Sequence, residues 1–288
     1  MRGTGAQAHR RGLHCIAALL SVCLTAPVHG HEPGAAHYVG NEGVLVRHGT
    51  TAVLFDALFV DSLGNYVVPD ARTRAAMDAG EAPFESVSAV FVSHVHADHF
   101  DATRTLAFLR ARPSIAAFGP IALRDALEAA GADTSVLERV VAFGARPGSA
   151  PEARTRDRLL VEVVAVPHAN PQRFPGLQNL AFRVVLEEAL TITHLGDADT
   201  DPEAFAEEAE HWAARHTHAV FPPYWFQASG AGRRILETHF AADAVIGIHV
   251  PRDAGRDADG FRARLGGDAF VVPGEIRMLP HEPASEAP

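Results

Sequence analysis

The sequence predicts an α+β fold in which stacked β-sheets are covered by helices. Three observations support this prediction. The chain has 288 residues, of which 47% are hydrophobic, so it can fill a substantial core. Short β-like runs come first along the chain, and strands alternating with helices follow. Many strands with interleaved helices in a chain of this length indicate sheets packed in layers.

The strands are marked by apolar runs with turn signals between them. Val44–His48 and Ala52–Leu58 are separated by Gly49-Thr50-Thr51, which predicts a hairpin. Val87–Ser93 is a continuous apolar run of strand length that stops at a cluster of histidines. Further strands are predicted at Ile115–Phe118, Leu159–Val166, Leu180–Leu186, Leu190–His194, Ala219–Phe221 and Ala244–Ile248.

Helical spacing of apolar residues occurs in three segments. Asp101–Arg112 and Ile121–Ala130 each fit an amphipathic helix. Pro202–Arg215 is predicted as one helix, because Asp201 can cap its first turn and proline suits its first position. Loops are predicted at the Pro- and Gly-rich stretches Pro147–Pro151 and Pro167–Gly176.

Residues 1–30 have the layout of a secretory signal peptide. Three arginines precede the apolar run Ile16–Ala26, and a small-residue stretch follows it up to Gly30. The run is shorter than the roughly 20 apolar residues that span a bilayer, so we expect no stable membrane insertion of the mature chain. We therefore predict a periplasmic or secreted protein with one domain over residues 31–280. A short linker at 31–37 and a disordered tail at 281–288 are predicted at its ends.

Composition excludes several kinds of chemistry and partner. Both cysteines, Cys15 and Cys23, lie in the predicted leader, so the mature chain has neither a disulfide nor a cysteine nucleophile. Without the leader, 22 arginines stand against 35 acidic residues, a formal charge of −13. An acidic surface repels polyanions, so we expect a small-molecule substrate and no nucleic acid partner. The sequence gives no indication of the oligomeric state.

The segment Ser93–Asp101 carries the strongest functional signal. In an extended chain residues two apart face the same way, so His94 and His96 can aim both imidazoles at one point beyond the strand end. If the chain then turns into the following helix, Asp98 and His99 can serve a second ion. Imidazole and carboxylate suit zinc and related divalent ions. The segment therefore predicts a metal site.

With this motif the chain resembles the metallo-β-lactamase superfamily, whose hallmark is H-x-H-x-D-H after a buried strand. The resemblance covers roughly residues 38–250. It implies an αβ/βα four-layer sandwich, the metallo-β-lactamase fold. Four further landmarks of the family have candidates in the same order: Asp56 upstream, and His168, Asp197 and His249 downstream, each after a strand-like run.

The resemblance implies a bridged dinuclear metal site and a hydrolase. Two divalent ions, zinc in the first place with iron or manganese as alternatives, would hold a bridging hydroxide that attacks a small ester, lactone, amide or phosphoester. Asp197 and Asp98 are the expected catalytic residues, the first by joining the ions and the second by orienting the nucleophile. Asp56 would support the site from behind. The implied ligands are His94, His96 and His168 for the first ion, Asp98, His99 and His249 for the second, and Asp197 for both.

Two other functions stay open at this point. A mononuclear iron persulfide dioxygenase of the same fold keeps a similar motif, and a non-enzymatic periplasmic metal-binding protein could retain the ligands. Diiron flavoproteins of the superfamily are disfavoured, because they have a glutamate where this chain has His96. True β-lactamases of the fold are also disfavoured, because many of them have a cysteine where this chain has Asp197.

Several other residues allow two interpretations. The aromatic, proline-rich segment Phe221–Phe226 could form a wall of the site or a packed loop, and His194 could line the pocket. A phosphate could bind to Arg173 or Arg233. The remaining histidines are predicted to be surface or packing residues: His31, His37, His48, His211, His216, His218, His239 and His281.

Overall fold

The structure is a computed structural model that describes residues 34–280, together with Met1 and Gly3. The chain divides into two units, Met1–Gly30 and His31–Pro288, and every described helix and strand belongs to the second. The predicted leader, apart from Met1 and Gly3, and the predicted tail lie outside the described residues. Export and the domain boundaries at residues 31 and 280 therefore stay predictions.

The described residues contain fourteen strands in two seven-stranded sheets. The strands are β1 (Gly34–Gly40), β2 (Gly43–His48), β3 (Thr51–Phe55), β4 (Val87–Phe91), β5 (Ala116–Pro120), β6 (Val140–Phe143), β7 (Glu152–Arg156), β8 (Leu159–Val166), β9 (Asn179–Leu186), β10 (Leu190–His194), β11 (Ala219–Phe221), β12 (Ala244–Gly247), β13 (Asp268–Ala269) and β14 (Ile276–Leu279). The first sheet has the order β14-β1-β2-β3-β4-β5-β6 and the second the order β13-β12-β11-β10-β9-β8-β7.

Each sheet combines an antiparallel part with a parallel part. In the first sheet, β14, β1, β2 and β3 pair antiparallel, and β3 to β6 pair parallel. In the second, β7 to β10 pair antiparallel and β10 to β13 pair parallel. The predicted hairpin between β2 and β3 is confirmed, with His48 opposite Thr51.

Helices fill the connections between the strands. The α-helices are α1 (Ala71–Ala79), α2 (Ala102–Ala111), α3 (Ile121–Ala129), α4 (Thr134–Leu137), α5 (Pro202–Ala206), α6 (Ala209–Ala213), α7 (Trp225–Ala228), α8 (Gly230–Ile235) and α9 (Ala258–Leu265). A π-helix spans Leu236–Phe240 and a 3-10 helix spans Arg252–Arg256. The predicted cap at Asp201 is confirmed, because its side chain accepts the Glu203 N–H at 3.0 Å. None of the described helices is long and apolar enough to cross a membrane.

The two sheets pack face to face, with helices on both outer faces. Phe55 and Phe91 stack with ring centroids 4.7 Å apart, and Phe182 of the second sheet meets Phe91 edge-on at 5.1 Å. Apolar residues of α2 and α3 cover the outer face of the first sheet, and those of α5 to α8 cover the outer face of the second. The predicted α+β four-layer sandwich is confirmed.

Two predictions of local structure are wrong. The predicted linker at 31–37 is a strand from Gly34 onwards, because β1 pairs with β2 and β14 and buries Ala36 and Tyr38 between the sheets. The predicted helix Pro202–Arg215 is split into α5 and α6, because the backbone of Glu208 leaves the helical region at φ −109° and ψ 22°.

Candidate metal centre

The strands that precede the landmark residues end at one edge of each sheet. Because β3 and β4 are parallel, Asp56 after β3 and the histidine motif after β4 emerge on the same side. In the second sheet, β8, β10 and β12 run in the same direction. His168, Asp197 and His249 follow these three strands. All of the predicted ligands therefore lie on loops at these strand ends.

The first cluster consists of His94, His96, His168 and Asp197. One donor atom from each of these residues lies within 4.8 Å of the others. The Nε2 of His168 is 3.3 Å from Asp197 Oδ2, and the Nε2 of His94 is 3.9 Å from the same oxygen. This is the set of ligands that the resemblance implies for the first ion.

The second cluster consists of Asp98, His99 and His249, whose donor atoms also lie within 4.8 Å of one another. Asp98 Oδ2 is 3.8 Å from His99 Nε2 and 3.7 Å from His249 Nε2. The other oxygen of Asp197, Oδ1, faces this cluster at 3.0 Å from His249 Nε2 and 3.3 Å from His99 Nε2. The two oxygens of Asp197 are thus divided between the two clusters.

The donor atoms fit a pair of divalent ions. Among the described residues, the buried atoms His94 Nε2, His168 Nε2 and Asp197 Oδ1 make no hydrogen bond of suitable angle, although Asp197 Oδ1 lies 3.0 Å from His249 Nε2. Buried polar atoms are normally hydrogen-bonded, so atoms that converge without a partner indicate a cation that they can coordinate. Both clusters offer only imidazole and carboxylate, which suits zinc, iron or manganese.

Contacts behind the clusters fix the orientation of the rings. His94 Nδ1 lies 2.9 Å from Ser93 Oγ, and the Ser93 hydroxyl in turn donates to Asp56 Oδ2. The same Asp56 oxygen is 3.1 Å from His99 Nδ1, while His168 Nδ1 donates to the Ala169 carbonyl at 2.6 Å. These bonds leave each Nε2 directed at the clusters. Asp56 lies in the supporting position that the resemblance implies.

The ionisation of the clustered residues follows from burial and mutual contacts. Burial lowers the pKa of His94 well below its ordinary value, and the neighbouring His99 lowers it further. Burial also lowers the pKa of His96, with His168 adding to the shift. Both rings are therefore neutral at pH 7, the form that coordinates metal.

The carboxylate of Asp197 keeps its charge in spite of burial. Burial acts to raise its pKa, but the neighbouring His249 and His99 outweigh that effect and hold the pKa well below its ordinary value. Burial acts to lower the pKa of His99, but Asp197 outweighs it and the pKa lies well above its ordinary value. A buried carboxylate of this kind requires compensating positive charge, which a cation can supply.

Positive backbone φ angles concentrate around the site. His249 has φ 58° and Asp56 has φ 36°, in a region that β-carbon sterics disfavour for residues other than glycine. Gly196, directly before Asp197, has φ 56°. Such strain persists only where surrounding contacts hold it, and it clusters at functional sites.

Sequence reasoning missed several residues that hold the site together. Asn179 accepts the Asp197 N–H at 3.0 Å on Oδ1 and donates Nδ2 to the Leu195 carbonyl. Asn41 and Glu42 form the turn between β1 and β2, and Glu42 is fully buried beside the second cluster. For Asn41 and Glu42, the signal in the sequence is an acidic residue in a short turn between two apolar strands. A side chain in such a turn is ordinarily expected to be solvated, so this signal is weak.

An open cavity of about 690 Å³ leads to both clusters. Its walls include Tyr66 and Trp225, whose ring centroids lie 4.1 and 5.2 Å from that of His249. Phe174 packs 4.6 Å from His96 on the other side, and the guanidinium of Arg173 lies over the Phe174 ring at 5.2 Å. The cavity thus has aromatic walls around the histidines, and the positively charged side chain of Arg173 lies at its mouth.

For each residue that allowed two interpretations, the structure shows which one holds. Within the segment Phe221–Phe226, Trp225 lines the cavity, whereas Phe221 and Phe226 are buried in the core. His194 does not line the cavity; it is buried, stacks on Phe55, and donates Nε2 to the Glu42 carbonyl at 3.1 Å. Arg173 lines the cavity, and Arg233 instead donates to the Gln227 carbonyl.

A third group of possible ligands lies elsewhere, at His216, His218 and Asp243. His218 Nδ1 accepts the Thr191 N–H at 3.0 Å, so the neutral ring carries its proton on Nε2. A protonated Nε2 donates and cannot coordinate an ion. His216 is exposed and contacts Asp243 at 2.8 Å, and His218 is buried, so these histidines are surface and packing residues as predicted.

Comparison with known proteins agrees with the fold. The family model of the beta-lactamase superfamily domain matches residues 51–232, which is more than half of the chain. No curated protein matches the chain. Three solved structures of similar fold have 12–16% sequence identity to this chain, so their likeness concerns the fold.

Three solved structures illustrate which kinds of enzyme have a similar fold. Igni18, a metallo hydrolase from Ignicoccus hospitalis, has a TM-score of 0.57 at 13% identity, over 85% of this chain and 98% of that one. An isothiocyanate hydrolase from Delia radicum gut bacteria has 0.57 at 12%, over 84% and 98%. CmlA, a diiron β-hydroxylase from Streptomyces venezuelae, has 0.53 at 16%, over 87% and 54%. The family match and the shared metallo-hydrolase fold together show that this chain belongs to the metallo-β-lactamase superfamily.

Proposed function

We propose that this chain is a hydrolase that holds two divalent metal ions, zinc in the first place, and cleaves a small ester, lactone, amide or phosphoester. The observation that carries the proposal is the orientation of Asp197. Its Oδ2 faces His168 and its Oδ1 faces His249, so one carboxylate lies between two sets of donors. A carboxylate in that position can join two ions, which a site for a single ion does not require.

When bound, two ions at such a site would supply an activated water and an electrophilic centre for the bond under attack. The first cluster would hold one ion and the second cluster the other, with Asp197 shared. Asp98 belongs to the second cluster and also lines the cavity, so its carboxylate can orient the attacking water as well as bind an ion. Tyr66 and Trp225 shield the second cluster from solvent on the cavity side.

The cavity supports a small substrate with an acyl or phosphoryl centre. Aromatic walls provide contact for an apolar part of the substrate, while Arg173 can bind an anionic group at the mouth. The solved isothiocyanate hydrolase of the same fold adds isothiocyanates to the electrophiles worth testing. A polynucleotide is disfavoured, because the chain carries a formal charge of −10.

The rival functions differ from the proposed one in metal content or in activity. A mononuclear iron persulfide dioxygenase would leave Asp98, His99 and His249 without a shared role, although their donor atoms lie together. CmlA shares the fold and is a diiron enzyme, so zinc is the part of the proposal that most needs a direct test. A binding protein without activity would keep both clusters and hydrolyse nothing.

We expect the purified wild-type chain to bind two equivalents of zinc. His249→Ala should lose mainly one ion and His94→Ala mainly the other, because the two residues belong to different clusters. Plasma emission spectrometry of dialysed protein measures the metal content. A wild-type chain that binds only one ion with zinc in excess would contradict the dinuclear proposal.

The same zinc-loaded protein should hydrolyse at least one member of a panel of lactones, esters, phosphodiesters, isothiocyanates and β-lactams. A chelator should abolish that hydrolysis and added zinc should restore it. Oxygen uptake with a persulfide, measured on iron-loaded protein, is expected to be absent. Oxygen uptake without hydrolysis would favour the dioxygenase, and two bound ions without either activity would favour the binding protein.

We further propose that the chain is exported, on the basis of the leader pattern in residues 1–30. Protein recovered from the periplasm or the medium is expected to begin near His31 and to contain no cysteine. N-terminal sequencing measures the start directly. Folded protein in the cytoplasm with residues 1–30 intact would refute export.

A further inference from the structure

Two charged residues line the cavity in addition to the assigned metal ligands. Among the described residues, these are Arg173 and Asp199. Arg173 lies on the loop after β8, and Asp199 lies on the loop after β10. No ion pair joins the two side chains within residues 34–280. The cavity therefore presents one positive and one negative charge to a molecule that enters it.

The backbone holds Asp199 so that its side chain faces the cavity. The loops after β8 and β10 pair antiparallel at a bridge between His168 and Ala198. Beside this bridge, the Asp199 N–H donates to the Pro167 carbonyl at 2.8 Å. Side chains of an extended, paired chain alternate between its two faces, so Asp197 and Asp199 share one face, while Ala198 points the other way and is fully buried. The Asp199 carboxylate is thus placed on the side of the metal centre.

The carboxylate of Asp199 has no partner in the part of the chain that the structure describes. Its oxygens make neither a hydrogen bond nor an ion pair there. By contrast, Asp201 caps α5, and its Oδ1 accepts the Glu203 N–H at 3.0 Å. Asp199 is half-buried, so its charge depends on water in the cavity for solvation. A cationic group of a bound molecule can replace that water and form a charge-assisted hydrogen bond.

Arg173 is available for an anionic group in the same way. Its guanidinium lies over the ring of Phe174 at 5.2 Å, and its side chain donates no hydrogen bond to the described residues. The Phe174 ring packs 4.6 Å from His96 and 5.1 Å from His168. This stack holds the guanidinium beside the first cluster, where its N–H groups can bind a carboxylate in the bidentate manner typical of arginine.

We propose that Asp199 and Arg173 are specificity-determining residues that select a zwitterionic substrate, with its cationic group bound to Asp199 and its anionic group bound to Arg173. This inference rests on the hydrolase function proposed above and narrows its substrate class. Short peptides with free ends are the simplest molecules of this class, so the bond cleaved is an amide. A cavity of about 690 Å³ has room for a dipeptide, since sites for small molecules span roughly 300–1,000 Å³.

The reaction consumes one water for each peptide bond and needs no other reactant. The carbonyl carbon gains the hydroxyl group as its bond to nitrogen breaks, and the nitrogen gains the proton. A dipeptide therefore gives two amino acids. Asp199 and Arg173 take no part in these bond changes; they bind the two charged ends and so fix which amide lies at the metal centre.

The test compares four dipeptides that differ only in the charge of their ends. Alanylalanine carries both charges, alanylalanine amide only the positive one, N-acetyl-alanylalanine only the negative one, and N-acetyl-alanylalanine amide neither. Tryptophan fluorescence of the zinc-loaded protein, read within seconds of mixing, reports binding because Trp225 lines the cavity. Chromatography of the products reports cleavage. We expect the wild type to bind alanylalanine about tenfold more tightly than the neutral dipeptide and to cleave it fastest.

Two variants separate the contributions of the two charges. Asp199→Asn should bind alanylalanine amide no better than the neutral dipeptide, and Arg173→Gln should bind N-acetyl-alanylalanine no better. Both variants should keep two equivalents of zinc, because neither residue is an assigned ligand. Asp201→Asn is the matched control, since it makes the same change two residues away and outside the cavity lining, and it should keep the wild-type order of the four dipeptides.

Equal binding of the four dipeptides by the wild type would overturn the inference, even where the protein hydrolyses neutral esters or lactones. Loss of zinc from Asp199→Asn would overturn the assignment of Asp199 to the substrate, because that residue would then support Asp197. Tight binding of alanylalanine without its cleavage, by a protein that hydrolyses neutral esters, would overturn the substrate class. Charge-selective binding by a protein that hydrolyses nothing would instead refute the proposed function and leave the two binding residues assigned.

Discussion

Asp197→Asn is expected to lower hydrolytic turnover by at least about 100-fold and to weaken the binding of both metal ions, while the fold stays intact. Each oxygen of Asp197 faces a different cluster, and the carboxylate carries the negative charge that both positions share. Asparagine nearly preserves the shape of the side chain but is neutral and offers one oxygen. The loss therefore reports on charge and bridging rather than on packing.

The measurement for Asp197→Asn compares turnover, metal content and melting temperature with those of Asp201→Asn. Asp201 lies four residues further on, is exposed and caps α5, and asparagine caps a helix about as well as aspartate. Both variants need circular dichroism and melting after metal reloading, because metal loss by itself can destabilise the fold. If Asp197→Asn keeps full activity and two tightly bound ions, the assignment of Asp197 is wrong and a site with one catalytic ion becomes the better interpretation.

The parts of the site that the sequence predicts are those with a local pattern. His94, His96, Asp98 and His99 lie within six consecutive residues, so strand periodicity alone indicates that two imidazoles face one point. The downstream residues have no such pattern around them. They were found through the order of the family landmarks, and the structure brings them into the two predicted clusters.

The residues that sequence reasoning missed act across long distances in the chain. Asn41 bonds to Asp98, which is 57 positions away, and the contact between Glu42 and His194 spans 152 positions. Neither contact leaves a trace in the neighbouring residues, because each depends on how the two sheets pack. An isolated Asn-Glu pair in a turn is ordinarily solvated, and only the fold buries it.

Contacts between distant parts of the chain also explain the two wrong predictions of local structure. Strand β1 consists largely of small residues and glycines, and its burial is supplied by β2 and β14 on either side. The break between α5 and α6 follows no glycine or proline. It brings Phe205 and Trp212 into one apolar cluster, with ring centroids 6.2 Å apart. Tertiary packing thus decides both cases, where local propensity is weak.

Gly196→Ala is expected to lower the free energy of unfolding by about 3–4 kcal/mol and to weaken both metal positions. Gly196 has φ 56°, which costs an alanine about 1–2 kcal/mol. In addition, a β-carbon there would lie 2.5 Å from Asn179 Oδ1 and 2.6 Å from Ser93 Cβ. Asn179 holds the backbone of Asp197 and Ser93 holds His94, so the clash is passed to both clusters.

Gly266→Ala is the matched control for the conformational part of this effect. Gly266 has φ 71° and no atom within 4 Å of a built β-carbon, so alanine there meets the left-handed penalty without a clash. Urea unfolding of the metal-free proteins should give a loss of about 1–2 kcal/mol for Gly266→Ala and the larger loss for Gly196→Ala. Zinc titration should show weaker binding of both ions only for Gly196→Ala. Equal losses in the two variants, with unchanged zinc binding, would mean that the close approach at Gly196 does not position Asp197.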